Sequence, residues 1–316
     1  MSFDLIRIRE AAERISPYIV ETPLIRLRNL DRFLGCRVYG KAECMQVTGA
    51  FKYRGVMNKI LSLPKEELAR GVVAASSGNH GKALSYAAKE LGIPVLIVIP
   101  RGTPSVKVEA IRSLGAEIVQ CEAVERFDVA ERICRERGAM MVPPYNDEDV
   151  MAGQGTIGLE LLRQEPGLDA IVVPVSGGGL ISGISAAVKA QKPGVRVIGA
   201  EPAVLPRYTV SVREGRATAV PQAGTIADAL VSNRPGTICF PVAAENVDRF
   251  VTVGEEWILK AQKLLLLEGK IVAEASSAIG LAAVLQGDLS FGPEEKVCFV
   301  ISGGGVGREQ LAELLK

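Results

Sequence analysis

Apolar residues recur along this chain with two alternating periods. Leu5, Ile8, Ala12 and Ile15 fall at helical spacing, which predicts a helix over residues 5–15. Pro17 and Pro23 close that segment, and residues 22–24 read as extended. Residues 37–43 predict a strand that delivers the chain to a turn, and 51–63 a helix. From Gly71 onward, short apolar runs alternate with helical patterns. Strands are predicted over 72–75, 94–99, 117–120 and 139–142, with helices over 79–91, 106–114 and 124–137. The run 94–99 is apolar throughout, as for a strand covered on both faces. A helix over 150–163 follows. Strands over 170–175, 195–200, 250–253 and 296–301 then alternate with helices over 180–190, 206–214, 255–267, 274–285 and 308–315. Residues 217–239 show little periodicity. There is no internal repeat and no low-complexity segment.

Strand–helix repetition with short connections implies parallel sheets with right-handed crossovers. The pattern predicts a smaller α/β unit over 63–147, inserted in a larger one made of 1–62 and 148–316. Both are expected to be open parallel sheets. Ligands in such sheets sit beyond the carboxyl ends of the strands. Four stretches rich in glycine and polar residues fall at those ends or at helix starts: 47–55, 76–81, 176–180 and 302–305. They are therefore expected to converge on one cleft between the two units.

Composition adds exclusions. Of the 316 residues 48% are hydrophobic, enough for a large core, and much of the glycine clusters in those loops. A formal net charge of +1 gives no attraction to nucleic acid or an anionic membrane. The six cysteines form no C-x-x-C pair and no metal-type spacing, which predicts free thiols in a reducing compartment. Residues 1–10 mix apolar and charged side chains and do not read as a signal peptide. No apolar run is long enough to cross a bilayer. These features predict a cytoplasmic protein.

The four stretches carry the candidate chemistry. Gly177, Gly178 and Gly179 turn after a strand, and Leu180 opens a helix. Their amides can approach an anion closely, and the helix start adds partial positive charge. The same pattern also describes a tight turn with no ligand. Glu201 ends the next predicted strand, about where a dinucleotide site keeps its ribose carboxylate. The spacing here is G-G-G-x-x-x-G instead of G-x-G-x-x-G, and a nicotinamide reading leaves Lys52 without a role. Lys52 lies between Phe51 and a Tyr-Arg-Gly run. A lysine amine is protonated near neutral pH. Burial beside Phe51, or the nearby cation Arg54, would free it to attack a carbonyl. In the run Ser76-Ser77-Gly78-Asn79-His80-Gly81, amides at a helix start can hold a carboxylate. Ser77 offers a hydroxyl there as acid or base, although one of the two serines can equally be a plain N-cap. His80 is the sole histidine and no G-x-S-x-G turn exists, which argues against a Ser-His-Asp hydrolase. Ser302-Gly303-Gly304-Gly305 follows an apolar strand. A hydroxyl at Ser302 can bond a ring nitrogen, or the stretch is only a turn.

Taken in order over nearly the whole chain, these stretches resemble the fold type II pyridoxal phosphate enzymes, in the threonine/serine dehydratase and serine racemase branch. T-G-A-F-K-Y-R-G is similar to that family's lysine motif and S-S-G-N-H-G to its asparagine loop. Pro143-Pro144-Tyr145 and Ala152-Gly153-Gln154-Gly155-Thr156 are similar to the dehydratase pattern. The resemblance implies an α/β fold of two open parallel-sheet domains, tryptophan synthase beta-like, with a cleft between them. It implies pyridoxal 5'-phosphate held covalently on Lys52, with Phe51 packed near the ring and Asn79 bonded to its 3′ oxygen. Gly177, Gly178, Gly179 and Leu180 would hold the phosphate, and Ser302 would meet the pyridine nitrogen. Ser76, Ser77, Asn79 and His80 would bind the substrate carboxylate. Lys52 and Ser77 would act on opposite faces of Cα.

The implied activity is an ammonia-lyase converting L-threonine or L-serine to a 2-oxo acid and ammonia. Serine racemase and hydroxyaspartate dehydratase are the alternatives within the class, and a non-catalytic amino-acid or nucleotide-binding protein is the one outside it. A small amino-acid substrate and a homodimer are the implied partners.

Three departures stand out. Ala229 occupies a place where the family often has glycine. In metal-binding members a glutamate corresponding to Glu201 acts with an acidic residue six positions on, where this chain has Arg207. Hence no metal is assigned, and Arg207 is expected to neutralise Glu201. The chain stops at Lys316, just after the last predicted helix, which speaks against a C-terminal regulatory domain.

Overall fold

The computed structural model describes residues 3–316. Its strands, among the described residues, are β1 (Leu24–Arg26), β2 (Arg37–Lys41), β3 (Val72–Ala75), β4 (Val95–Pro100), β5 (Glu117–Cys121), β6 (Met140–Met141), β7 (Ala170–Pro174), β8 (Arg196–Pro202), β9 (Arg249–Val253) and β10 (Lys296–Val300). They form a larger sheet in the order β1-β2-β10-β7-β8-β9 and a smaller one in the order β5-β4-β3-β6. The chain is thus an α/β protein of two sheet domains.

Every pairing is parallel except β1 with β2, where Leu24 faces Lys41 and Arg26 faces Tyr39. The expectation of purely parallel sheets is corrected at that edge. Only residues 27–36 join β1 to β2, too short a link for a parallel crossover, so the chain folds straight back.

The central strands are apolar because helices cover both faces. Every residue of β3 and β7 is buried. The helix Lys52–Ser62 follows β2 in sequence, yet its Tyr53, Val56, Met57 and Ile60 pack with Val72, Ala74, Leu84 and Ile97 around the smaller sheet. It therefore links the two sheets at the point where the lysine motif begins.

Helices Leu5–Ile15, Asn79–Leu91 and Glu255–Leu267 fall where the apolar spacing predicts them. Helix Cys239–Asn246 is not anticipated by that spacing. It contains Pro241 in its first turn, where the missing N–H has no intrahelical partner to lose. Helices Asp31–Leu34 and Lys65–Leu68 are too short to show a period.

Candidate active site

The four stretches follow β2, β3, β7 and β10, and side chains from both domains meet there. Gly49 turns with φ of 79°, which a residue with a Cβ adopts with strain. Ala50 then bridges to Gly303, and the Phe51 N–H donates to the Ser302 carbonyl at 3.0 Å. The lysine turn is thereby stitched to the final glycine loop. Lys52 opens its helix, and its Nζ donates to the Pro144 carbonyl at 2.5 Å, 4.9 Å from the centre of the Phe51 ring. Burial lowers the Lys52 amine from 10.5 to about 8. At pH 7 about one such amine in ten is neutral, some 300-fold more than for an ordinary lysine.

Two residues on, Arg54 sits fully buried among acids. It donates to both oxygens of Glu43 at 2.8 Å, and to those of Glu160 at 2.5 and 2.9 Å. Lys41 Nζ also reaches Glu160, at 2.5 Å, and the Thr22 carbonyl, at 2.7 Å. Burial works against the Glu43 carboxylate, yet Arg54 holds it below the usual range. Two cations and two anions thus balance beneath the start of the Lys52 helix.

The glycine loop after β7 has the free donors that an anion needs. Among the described residues, the amides of Gly177 and Gly178 donate to no protein group, and Gly179 begins helix Gly179–Lys189. The first amides of a helix lack intrahelical acceptors. Gly178 has φ of 106°, and a Cβ there would lie 1.8 Å from Tyr208 Oη. A Cβ on Gly177 would lie 2.4 Å from the Tyr145 ring. Tyr145 adjoins Pro144, so the lysine amine and the glycine loop meet across one short segment. Leu180 is buried in the core behind the loop.

Asn79 opens helix Asn79–Leu91 after β3 and donates its Nδ2 to Glu274 at 3.1 and 3.0 Å, joining the two domains. Glu274 is buried at the start of helix Ala275–Gln286. Burial raises its carboxyl to about 6, against the opposing bond from Asn79. Its N–H donates to the Gly303 carbonyl at 3.1 Å.

Ser302 Oγ lies 3.1 Å from Ser277 Oγ. Ser277 accepts from the Gly303 N–H and donates to the Gly303 carbonyl, each at 2.8 Å. With that proton committed, the Ser302 hydroxyl either donates to Ser277 or turns outward.

Ser76 and Ser77 are half-buried at the helix start, and the Ser77 hydroxyl bonds no described protein group. His80 is different: its side chain is buried, and Nε2–H donates to the Val142 carbonyl at 2.8 Å. Burial holds its ring neutral, lowered to about 3. Its Nδ1 is buried and has no hydrogen-bond partner among the described residues. Ala229 is exposed, with its N–H on Ser276 Oγ at 3.0 Å.

Tyr145 and Arg54 lie within motifs of the sequence, but Glu274, Ser277, Tyr208 and the acids Glu43 and Glu160 around Arg54 carry no motif that marks them as site residues. A lone acid opening an apolar helix at Glu274, and Glu160 inside another, are the traces the sequence offers. Among the described residues no group of three His, Cys, Asp or Glu side chains is placed to hold a metal, and no helix is long and apolar enough to cross a membrane.

A buried, partly neutral amine beside a loop of unpaired glycine amides fits an aldehyde carrying a phosphate. The comparisons agree. The profile described as pyridoxal-phosphate dependent enzyme matches residues 15–303. The chain is 43% identical over 309 residues to a serine racemase of Arabidopsis thaliana, covering 96% of this chain and 93% of that protein. It is also 43% identical over 301 residues to an L-threonine ammonia-lyase of Thermotoga maritima, covering 95% and 75%. The solved structure of maize serine racemase superposes with a TM-score of 0.95 at 39% identity, covering 100% of this chain and 97% of that one.

Proposed function

This chain belongs to the pyridoxal-phosphate dependent enzyme family, and from that membership we propose that it is an ammonia-lyase of small β-hydroxy amino acids, L-threonine and L-serine. The observation that carries the reading is Lys52: an amine lowered to about 8 by burial and bonded to the Pro144 carbonyl, next to the Tyr145 ring that lies against the unpaired Gly177 of the glycine loop.

When bound, pyridoxal phosphate supplies an aldehyde for the substrate amine and a ring that draws electrons from Cα. Lys52 would hold that aldehyde between turnovers. The amides of Gly177, Gly178, Gly179 and Leu180 would hold the phosphate, Phe51 would pack beside the ring, and Asn79, whose Nδ2 donates to Glu274 here, would turn to the 3′ oxygen. Ser302 would meet the ring nitrogen. A hydroxyl there need not keep that nitrogen charged, which favours loss of a β-hydroxyl over reactions that need a stronger electron sink. Amides and hydroxyls of residues 76–80 fix the substrate carboxylate, so that Cα–H points at Lys52. Lys52 Nζ then removes the Cα proton on one face.

A second reading, serine racemisation, is favoured by Ser77, whose hydroxyl is half-buried and bonds no described protein group. Placed on the face opposite Lys52, Ser77 Oγ would return a proton with inversion. Serine racemases among the relatives support it.

The test is a panel of L-serine, L-threonine and L-threo-3-hydroxyaspartate, following 2-oxo acid and D-enantiomer together. Oxo acid from serine or threonine supports the lyase, and its absence with D-product formation overturns it in favour of the racemase. Ser77→Ala should suppress racemisation far more than elimination. Equal loss would remove the two-face assignment. The reading also carries a homodimer in the cytoplasm, in keeping with six cysteines that are all free.

A further inference from the structure

Arg207 is fully buried, yet it stands at the first position of helix Arg207–Glu214. Its guanidinium gathers oxygens from three separate segments. Nη1 donates to the carbonyls of Leu230, at 2.8 Å, and Ser232, and Nη2 donates to that of Val175 at 2.8 Å. Nε lies 3.5 Å from Glu201 Oε2 and makes no hydrogen bond. The Glu201 carboxylate is otherwise engaged. It accepts from the N–H groups of Tyr208 and Thr209 at 2.9 and 2.8 Å, and from Thr209 Oγ1 at 2.8 Å.

Three backbone carbonyls and a carboxylate around one positive group resemble the all-oxygen surroundings of a hard divalent cation. Here a guanidinium already fills that place, so a metal beside Glu201 does not fit. A second positive charge would meet the first in a buried site.

Two of the oxygens that Arg207 holds, those of Val175 and Ser232, lead to the glycine loop. Val175 immediately precedes Ser176. The Ser232 N–H donates to Ser176 Oγ at 3.3 Å, and Ser232 Oγ pairs with Tyr145 Oη at 3.1 Å. Tyr145 in turn lies against Gly177. The neighbouring Tyr208 donates its hydroxyl to the Gly177 carbonyl at 3.2 Å.

We propose that Arg207 is a tethered cation: it positions the 175–179 loop and the 230–232 segment for the cofactor phosphate, and makes this enzyme independent of divalent metal ions. It rests on the reading that the amides of 177–180 hold that phosphate. Arg207 touches neither substrate nor cofactor in this account and is a positioning residue.

The test compares wild type with Arg207→Met, Arg207→Lys, Arg207→Asp and Gly178→Ala, each stripped with EDTA and then given Mg2+ or Ca2+. Readouts are the melting temperature of the apoprotein and the pyridoxal phosphate Kd from absorbance titration. Wild type should be unchanged by EDTA or by added metal in both. Arg207→Met should weaken cofactor binding at least tenfold. Arg207→Lys should recover only part of that loss, because one ammonium cannot fork to three carbonyls. Arg207→Asp should recover affinity only when Mg2+ or Ca2+ is present, a response that a packing role would not produce.

Wild-type affinity or melting temperature that falls in EDTA and returns with metal would overturn the proposal, as would wild-type affinity in Arg207→Met. The EDTA comparison on wild type stands even if the aspartate variant fails to fold. If Gly178→Ala weakens cofactor binding and Arg207→Met does not, the tethered cation alone is lost. If neither does, the phosphate-loop reading fails with it.

Discussion

Replacing Arg54 with methionine tests whether the buried charges beneath Lys52 act as one unit. Arg54 is fully buried and donates to both oxygens of Glu43 and both of Glu160. Lys41 is the only other cation within bonding distance of those acids among the described residues, and it reaches Glu160 alone. Methionine fills similar space but leaves Glu43 without a cation in a dry site. Breaking a buried pair by removing one partner costs about 3–5 kcal/mol. For a protein of this size that is a fall in melting temperature on the order of 10 °C. Glu43→Gln leaves Arg54 and Lys41 to share Glu160, one positive charge in excess, and should also cost several kcal/mol, about 3–5 at most. The double variant removes one charge of each sign and leaves Lys41 with Glu160. Its loss should fall short of the sum of the singles by about 2 kcal/mol. Urea unfolding of the apoprotein measures all four corners of the cycle. Additive losses, within about 0.5 kcal/mol, would refute the idea of a coupled cluster and reduce Arg54 to a packing residue.

Other consequences can be checked directly. Lys52→Ala should abolish both elimination and racemisation, and borohydride should fix pyridoxal phosphate to wild type but leave no label on the variant. Glu274 titrates at about 6 against an ordinary 4.5, so the folded apoprotein takes up that proton more readily than the unfolded chain. Its stability should therefore fall by about 2 kcal/mol in all as pH rises from well below 4.5 to well above 6, most of it between those values, and stay lower above that. Glu274→Gln should remove the fall, and an unchanged pH profile of urea midpoints would contradict the assignment. Gly178→Ala must hold φ near 106° and push a methyl to within 1.8 Å of Tyr208 Oη. It should weaken cofactor binding at least about tenfold, roughly 1.4 kcal/mol. Tyr208→Phe in that background should restore only part, because the backbone strain remains.

The amino-acid sequence determined the strand–helix alternation, the long helices and the four loops by itself, because periodicity and glycine chemistry are local. The apolar run 94–99 reads as a doubly covered strand, and residues 95–99 of β4 are all buried. The lysine motif and the glycine turns were legible for the same reason, since each is a short stretch with its own backbone demands. What only the tertiary structure decided lies between residues far apart along the chain. Asn79 meets Glu274 across 195 positions, and Arg54 meets Glu160 across 106. No local pattern states which buried acid a given base will find. The antiparallel β1 edge, the burial of His80 against Val142 and the three carbonyls around Arg207 are of the same kind. Each follows from packing two sheets and their helices together, which fixes where charges are left without water and so which partners they must take.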